Sequence, residues 1–150
     1  MRWDRAKLRT LLRYFAVAAR RPRDAQAAGE QLLAVFRIVG SRVHPPEEDW
    51  VRDVAHRAFP DRTDFAAARR QAAAVRSAGD RRAELSRITA PTLVLTGEDD
   101  PVQPVRAGRA TAEAIPGARF VTVPGMGHDL PRALWPTLVG HIDAVAGSGR

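Results

Sequence analysis

Through the first 87 residues apolar positions recur at helical spacing, and from residue 88 the pattern changes. Leu8, Leu11, Leu12 and Phe15 share one face of an amphipathic helix. Arg9 and Arg13 interrupt this segment, so it lacks the continuous apolar stretch of a signal peptide. The simpler reading is a helix packed on a neighbour, ahead of a membrane-surface anchor. The Pro22 region breaks the chain, and a second helix is predicted from Ala25 to Val39, ended by Gly40-Ser41. Val43-His44-Pro45-Pro46 is an extended connector, because a residue before proline avoids the helical region. Pro46-Glu47-Glu48-Asp49 then starts a third helix, with three acids at the positive end of its dipole, and Pro60 stops it. Thr63 or Asp61 caps a fourth helix, predicted from Asp64 to Ala78 and closed by Gly79; Arg81 to Arg87 adds a short turn.

Beyond Ile88, Pro91 to Gly97 is a short apolar run with β-branched members, which reads as a strand buried on both faces. A helix follows from about Val105 to Ile115, closed by Pro116-Gly117, and Ala118 to Pro124 reads as a second strand. A final helix, about Arg132 to Val145, carries Leu134, Leu138, Val139, Ile142 and Val145. Strand, helix, strand, helix implies parallel strands joined by a right-handed crossover.

Composition narrows the function classes. The 150 residues suit one domain with a real core. No apolar run approaches the ~18 residues of a membrane span. The lack of cysteine excludes disulfides, thiolate metal sites and a cysteine nucleophile. The net charge of +7 is nearly all arginine, Lys7 being the sole lysine, and the arginines are spread along the chain among acids. That pattern fits base-composition bias better than a clustered phosphate-binding face, so no nucleic-acid partner is expected.

Parallel α/β sheets place functional groups just beyond the carboxyl ends of their strands. Two loops occupy those positions: Gly97-Glu98-Asp99-Asp100-Pro101-Val102-Gln103-Pro104 and Pro124-Gly125-Met126-Gly127-His128-Asp129-Leu130-Pro131. One offers carboxylates and the other a histidine between glycines, so an acid and an imidazole can meet at one sheet edge. That is the orienting half of a hydrolytic triad, in the chain order acid then histidine. Asp100 alone would read as the cap of its turn; with His128 in the matching loop the triad-derived role is favoured. Asp99 is the rival acid; Glu98 and Asp129 read as solvated loop charges and Met126 as a gap-filler. His44, His56 and His141 are scattered without metal-site spacing, so no metal is expected. Trp50, Phe36, Phe59 and Phe65 read as core residues, of which one or two could line an apolar pocket.

The stretch PTLVLTGEDDPVQP resembles the strand-G-x-x-D-x-x-x-P element of α/β-hydrolases, and PGMGHDLP resembles their histidine loop. The PGMGH loop, the preceding ATAEAIPGARF and the segment RQAAAVRSAGDRRAELSRI are similar to the aclacinomycin methyl esterase group. The resemblance implies a triad acid at Asp100, a triad base at His128 and an ester of a small molecule as substrate, with no cofactor. It implies an α/β fold, a truncated α/β-hydrolase: a mostly helical cap over 1–87, then a β-α-β-α unit over 88–150 with two parallel strands. A cytoplasmic, bacterial protein without membrane association is expected. The nucleophile elbow G-x-S-x-G is absent: Ser41, Ser77, Ser86 and Ser148 lie on no strand-to-helix turn. The chain is therefore expected to be inactive alone, supplying two members of a triad, or else to be a non-catalytic binding protein on the same scaffold. With one edge of the first strand unpaired, self-association or a complementing chain is expected there.

Overall fold

The computed structural model of the chain describes residues 5–59 and 65–147. Four longer helices come first: α1 (Arg5–Ala18), α2 (Ala25–Val39), α3 (Glu48–Ala58) and α4 (Phe65–Ser77), followed by the single turn α5 (Arg82–Leu85). Then come β1 (Leu93–Gly97), α6 (Val105–Ala114), β2 (Arg119–Val123), a 3₁₀ turn (Arg132–Leu134) and α7 (Trp135–Gly147). The start of α4 that Thr63 or Asp61 was expected to cap, the stop at Pro60 and Ser148 lie outside the described residues, as does the side chain of Phe65.

Asp24 caps α2 by accepting the Ala27 N–H at 2.7 Å, and Gly40 closes it by donating to Phe36 O. Leu33 and Val39 of α2 and Val51 of α3 are fully buried, each contributing about 1.5–3 kcal/mol of apolar transfer. Arg52 of α3 reaches Glu30 of α2 at 2.7 Å as well as Glu48 and Asp49 on its own helix. These pairs are partly exposed, so they fix the crossing of α2 and α3 more than they stabilise it. Gln31 Nε2 donates to Val17 O at 2.9 Å and Arg20 O at 2.8 Å, closing the carboxyl end of α1. Of the apolar face foreseen on α1, Leu11 is half-buried, whereas Leu8, Leu12 and Phe15 stand exposed.

Strands β1 and β2 pair in parallel, with Leu93 opposite Arg119 and Gly97 opposite Val123. The two faces of this sheet are used differently. Leu95, Val121 and Val123 pack with Met126 and Leu138, the last from α7. On the opposite face Thr96 and Phe120 meet Gly108 of α6, where an added Cβ would collide with Thr96 Oγ1. Helices on both faces are what a parallel sheet requires. The final helix differs from its expected extent: residues 132–134 form a 3₁₀ turn before α7, with the Leu134 N–H on Pro131 O at 2.9 Å, and Pro136 has no N–H to carry an α-helical bond back to Arg132.

Candidate active site

Both strands end at the same edge of the sheet, so the loops that follow them lie side by side. Glu98 N donates to Val123 O and Asp99 N to Met126 O, both at 3.1 Å, clipping the acid loop to the histidine loop. A Cβ on Gly97 would lie 2.7 Å from Gly127 O and closer still to Met126 O, so only glycine permits this approach. Within the clipped pair, His128 Nδ1 and Asp100 Oδ2 are 2.8 Å apart. The Asp100 side chain is 8% exposed and that of His128 is 40% exposed.

Asp100 makes the turn bonds foreseen for it and also faces the imidazole. Its Oδ1 accepts the N–H groups of Val102 and Gln103, each at 2.7 Å, which locks the turn. Its Oδ2 is left to face the imidazole. An ionised carboxylate only accepts, so the neutral ring must carry its proton on Nδ1, leaving Nε2 as a base. Nε2 has no partner among the described residues. The pair borders a cleft of about 450 Å³ between β1, α6 and the histidine loop.

Asp129 departs from the solvated charge expected of it. It is half-buried, and Oδ1 accepts the Ser41 N–H at 2.9 Å. Burial raises its carboxyl above the ordinary aspartate value, against the backbone N–H groups of Ser41, Gly127 and Asp129 itself, which favour the charge. Ser41 is also held by its hydroxyl, which donates to Gly125 O and accepts the His44 N–H at 2.7 Å. His128 N donates to Val39 O at 2.7 Å. The end of α2 is thus seated on the histidine loop, a junction that the sequence reading missed. Its signal was the small residues on both sides, Gly40-Ser41 and Gly125-x-Gly127.

The remaining candidates lie apart from the pair. Asp99 uses its backbone in the loop clip, and Glu98 accepts the Thr122 hydroxyl at 3.0 Å. Met126 is buried and fills the sheet–α7 core. His56 is exposed on α3; His141 is half-exposed, with Nδ1 3.4 Å from the Arg119 guanidinium. Ser77 and Ser86 donate to carbonyls within their own turns. No described group of histidine and acidic residues could hold a metal ion, and no described helix is long and apolar enough to cross a membrane.

A second cavity of about 580 Å³ opens on the other side of Asp129 and Leu130. Phe36, Trp50 and Trp135 help to line it, so Phe36 and Trp50 are wall rather than core residues. The two indole rings meet edge to face at 5.8 Å, and the Arg132 guanidinium sits 5.7 Å from one and 5.4 Å from the other. Glu47 pairs with Arg132 at 2.6 Å.

Residues 63–134 match the model of the TAP-like protein family, an α/β-hydrolase family. Rhodomycin D methylesterase DnrP of Streptomyces peucetius is 45% identical over 64 residues, which cover 43% of this chain and 22% of that protein. Rhodomycin D methylesterase DauP of Streptomyces sp. (strain C5) gives the same identity and coverage. The match therefore spans about a fifth of the length of these curated relatives. Over these residues the chain is similar to α/β-hydrolases and, among them, to methylesterases.

Proposed function

We propose that this chain carries the acid and the general base of a carboxylic-ester hydrolase, Asp100 and His128, and that residues 1–87 act as the cap of that enzyme. The observation that carries the reading is the 2.8 Å contact between His128 Nδ1 and Asp100 Oδ2 beside a cleft. A serine hydroxyl brought to Nε2 would attack the ester carbonyl while His128 takes its proton. Asp100 would stabilise the imidazolium, which then returns the proton to the departing alkoxide; water repeats the sequence on the acyl-enzyme. The hydroxyls of Ser41, Ser77 and Ser86 already donate to carbonyls, so the nucleophile lies outside the described residues. A methyl ester on a bulky apolar molecule is the substrate class favoured by the similarity to rhodomycin D methylesterases and by the aromatic cavity beside the histidine loop.

The engaged state of those three hydroxyls also favours a second reading, a hydrolase scaffold that binds a ligand without turnover. The test is ester hydrolysis by a polypeptide containing this sequence together with a nucleophile elbow. His128→Ala is expected to lower kcat by about 10³-fold or more. Hydrolysis that survives the substitution overturns the assignment of His128. A folded wild-type polypeptide that neither hydrolyses esters nor reacts with a fluorophosphonate supports the binding protein instead.

A further inference from the structure

His128 is held through its backbone from three directions, and none of these contacts involves Asp100. Its own N–H donates to Val39 O at 2.7 Å. The residue before it, Gly127, lies so close to α2's end that a Cβ there would sit 2.6 Å from both Gly40 O and Ser41 N. The residue after it, Asp129, receives the Ser41 N–H on Oδ1 at 2.9 Å, and its Oδ2 would lie 2.8 Å from a Cβ on Gly40. Two side chains span the junction among the described residues: Ser41 Oγ donates to Gly125 O, three residues before His128, and Asp129 reaches back from the position that directly follows it. A carboxylate accepting backbone N–H groups makes a short, charge-assisted bond, stronger than the neutral backbone bonds around it.

We propose that Asp129 is a positioning residue: it clamps the carboxyl end of α2 to the histidine loop and thereby sets where the His128 imidazole stands relative to Asp100. The acid side of the pair is fixed separately, by the Asp99 N–H on Met126 O and by the turn bonds of Asp100. The imidazole is carried by the 127–129 backbone, which Asp129 ties to α2's end together with the His128 N–H on Val39 O. Any displacement of α2 is transmitted to the base through three residues, Val39, Gly40 and Ser41. The functional part of this inference rests on the reading of Asp100 and His128 as acid and base.

The experiment is amide hydrogen exchange and imidazole ¹⁵N NMR on the 150-residue chain, with Asp129→Ala and Asp129→Asn. The alanine variant is expected to speed exchange at the His128 and Ser41 amides at least ~10-fold relative to the Val121 amide of β2. It is also expected to change the ¹⁵N shifts that report Nδ1–H bonded to Asp100. Asparagine keeps an acceptor oxygen and is expected to stay within about threefold of the wild type. If Asp129→Ala does not fold, Asp129→Ser carries the same expectation. A global loss of protection at all core amides alike, or an unaltered His128 amide in a folded variant, overturns the proposal. If the wild type lacks the Nδ1–H signature, the acid–base reading falls by itself, and the His128 amide still decides whether Asp129 is the clamp.

Discussion

The close approach of Gly127 to the end of α2 makes Gly127→Ala a severe substitution. The added methyl would lie 2.6 Å from Gly40 O and Ser41 N and nearer still to the Gly40 carbonyl carbon. All three are backbone atoms, so no side chain can rotate away. Gly127 has no positive φ, and the cost is therefore contact, not backbone strain. Overpacking of this kind costs about 1–3 kcal/mol. Separating the loop from α2 also breaks the His128–Val39 and Ser41–Asp129 hydrogen bonds, at about 1 kcal/mol each. The sum is about 3 kcal/mol or more, equivalent to roughly 6–12 °C in Tm for a chain of this size. Gly140→Ala is the matched control: Gly140 lies within α7 with open space around it, and alanine there should be neutral or stabilising by up to ~1 kcal/mol. Thermal and urea unfolding followed by circular dichroism read both values. A loss below about 1 kcal/mol at Gly127 would show that the two segments are not in contact.

Two further outcomes follow from the same structure. Burial raises the Asp129 carboxyl in the folded chain, so between the unfolded and folded values the native state holds a proton that the unfolded state has released. The stability this group contributes is present below the unfolded value and declines as pH rises through the folded one; Asp129→Asn should therefore gain in Tm relative to wild type as pH rises from the unfolded value through the folded one, and a gap that narrows over that rise contradicts the sign. At the sheet, Arg119 N donates to Thr92 O and Glu98 N to Val123 O, so even-numbered residues of β1 bond to β2 while Leu93 and Leu95 present their backbone groups outward. Sedimentation velocity is expected to show association that rises with protein concentration and is weakened by Leu93→Pro, which removes an outward N–H; a concentration-independent monomer contradicts it.

The elements were legible because each is bounded by local chemistry. Asp24 and Gly40 bracket α2, and the predicted Ala25–Val39 range coincides with the helix. Likewise, Pro91 and Gly97 delimit β1, and Pro116-Gly117 separates α6 from β2. The pairing of Asp100 with His128 was legible too, because a parallel β-α-β unit places both following loops at one edge. What escaped was non-local. Nothing in the spacing of Gly40, Ser41 and Asp129 shows that segments 88 residues apart in sequence share hydrogen bonds. Local polarity assigned Asp129 to solvent, yet α2's end covers it. The exposed positions of Leu8, Leu12 and Phe15 have the same cause: periodicity identifies an apolar face, while tertiary packing decides whether that face is covered.

In the proposed reading Asp100 fixes the protonation geometry of His128, and ¹⁵N NMR of the neutral imidazole reads that geometry. The wild type is expected to show the Nδ1–H form, with Nε2 unprotonated, and Asp100→Ala is expected to lose that preference. A neutral ring protonated on Nε2, or a tautomer indifferent to the loss of the Asp100 carboxylate, would contradict it.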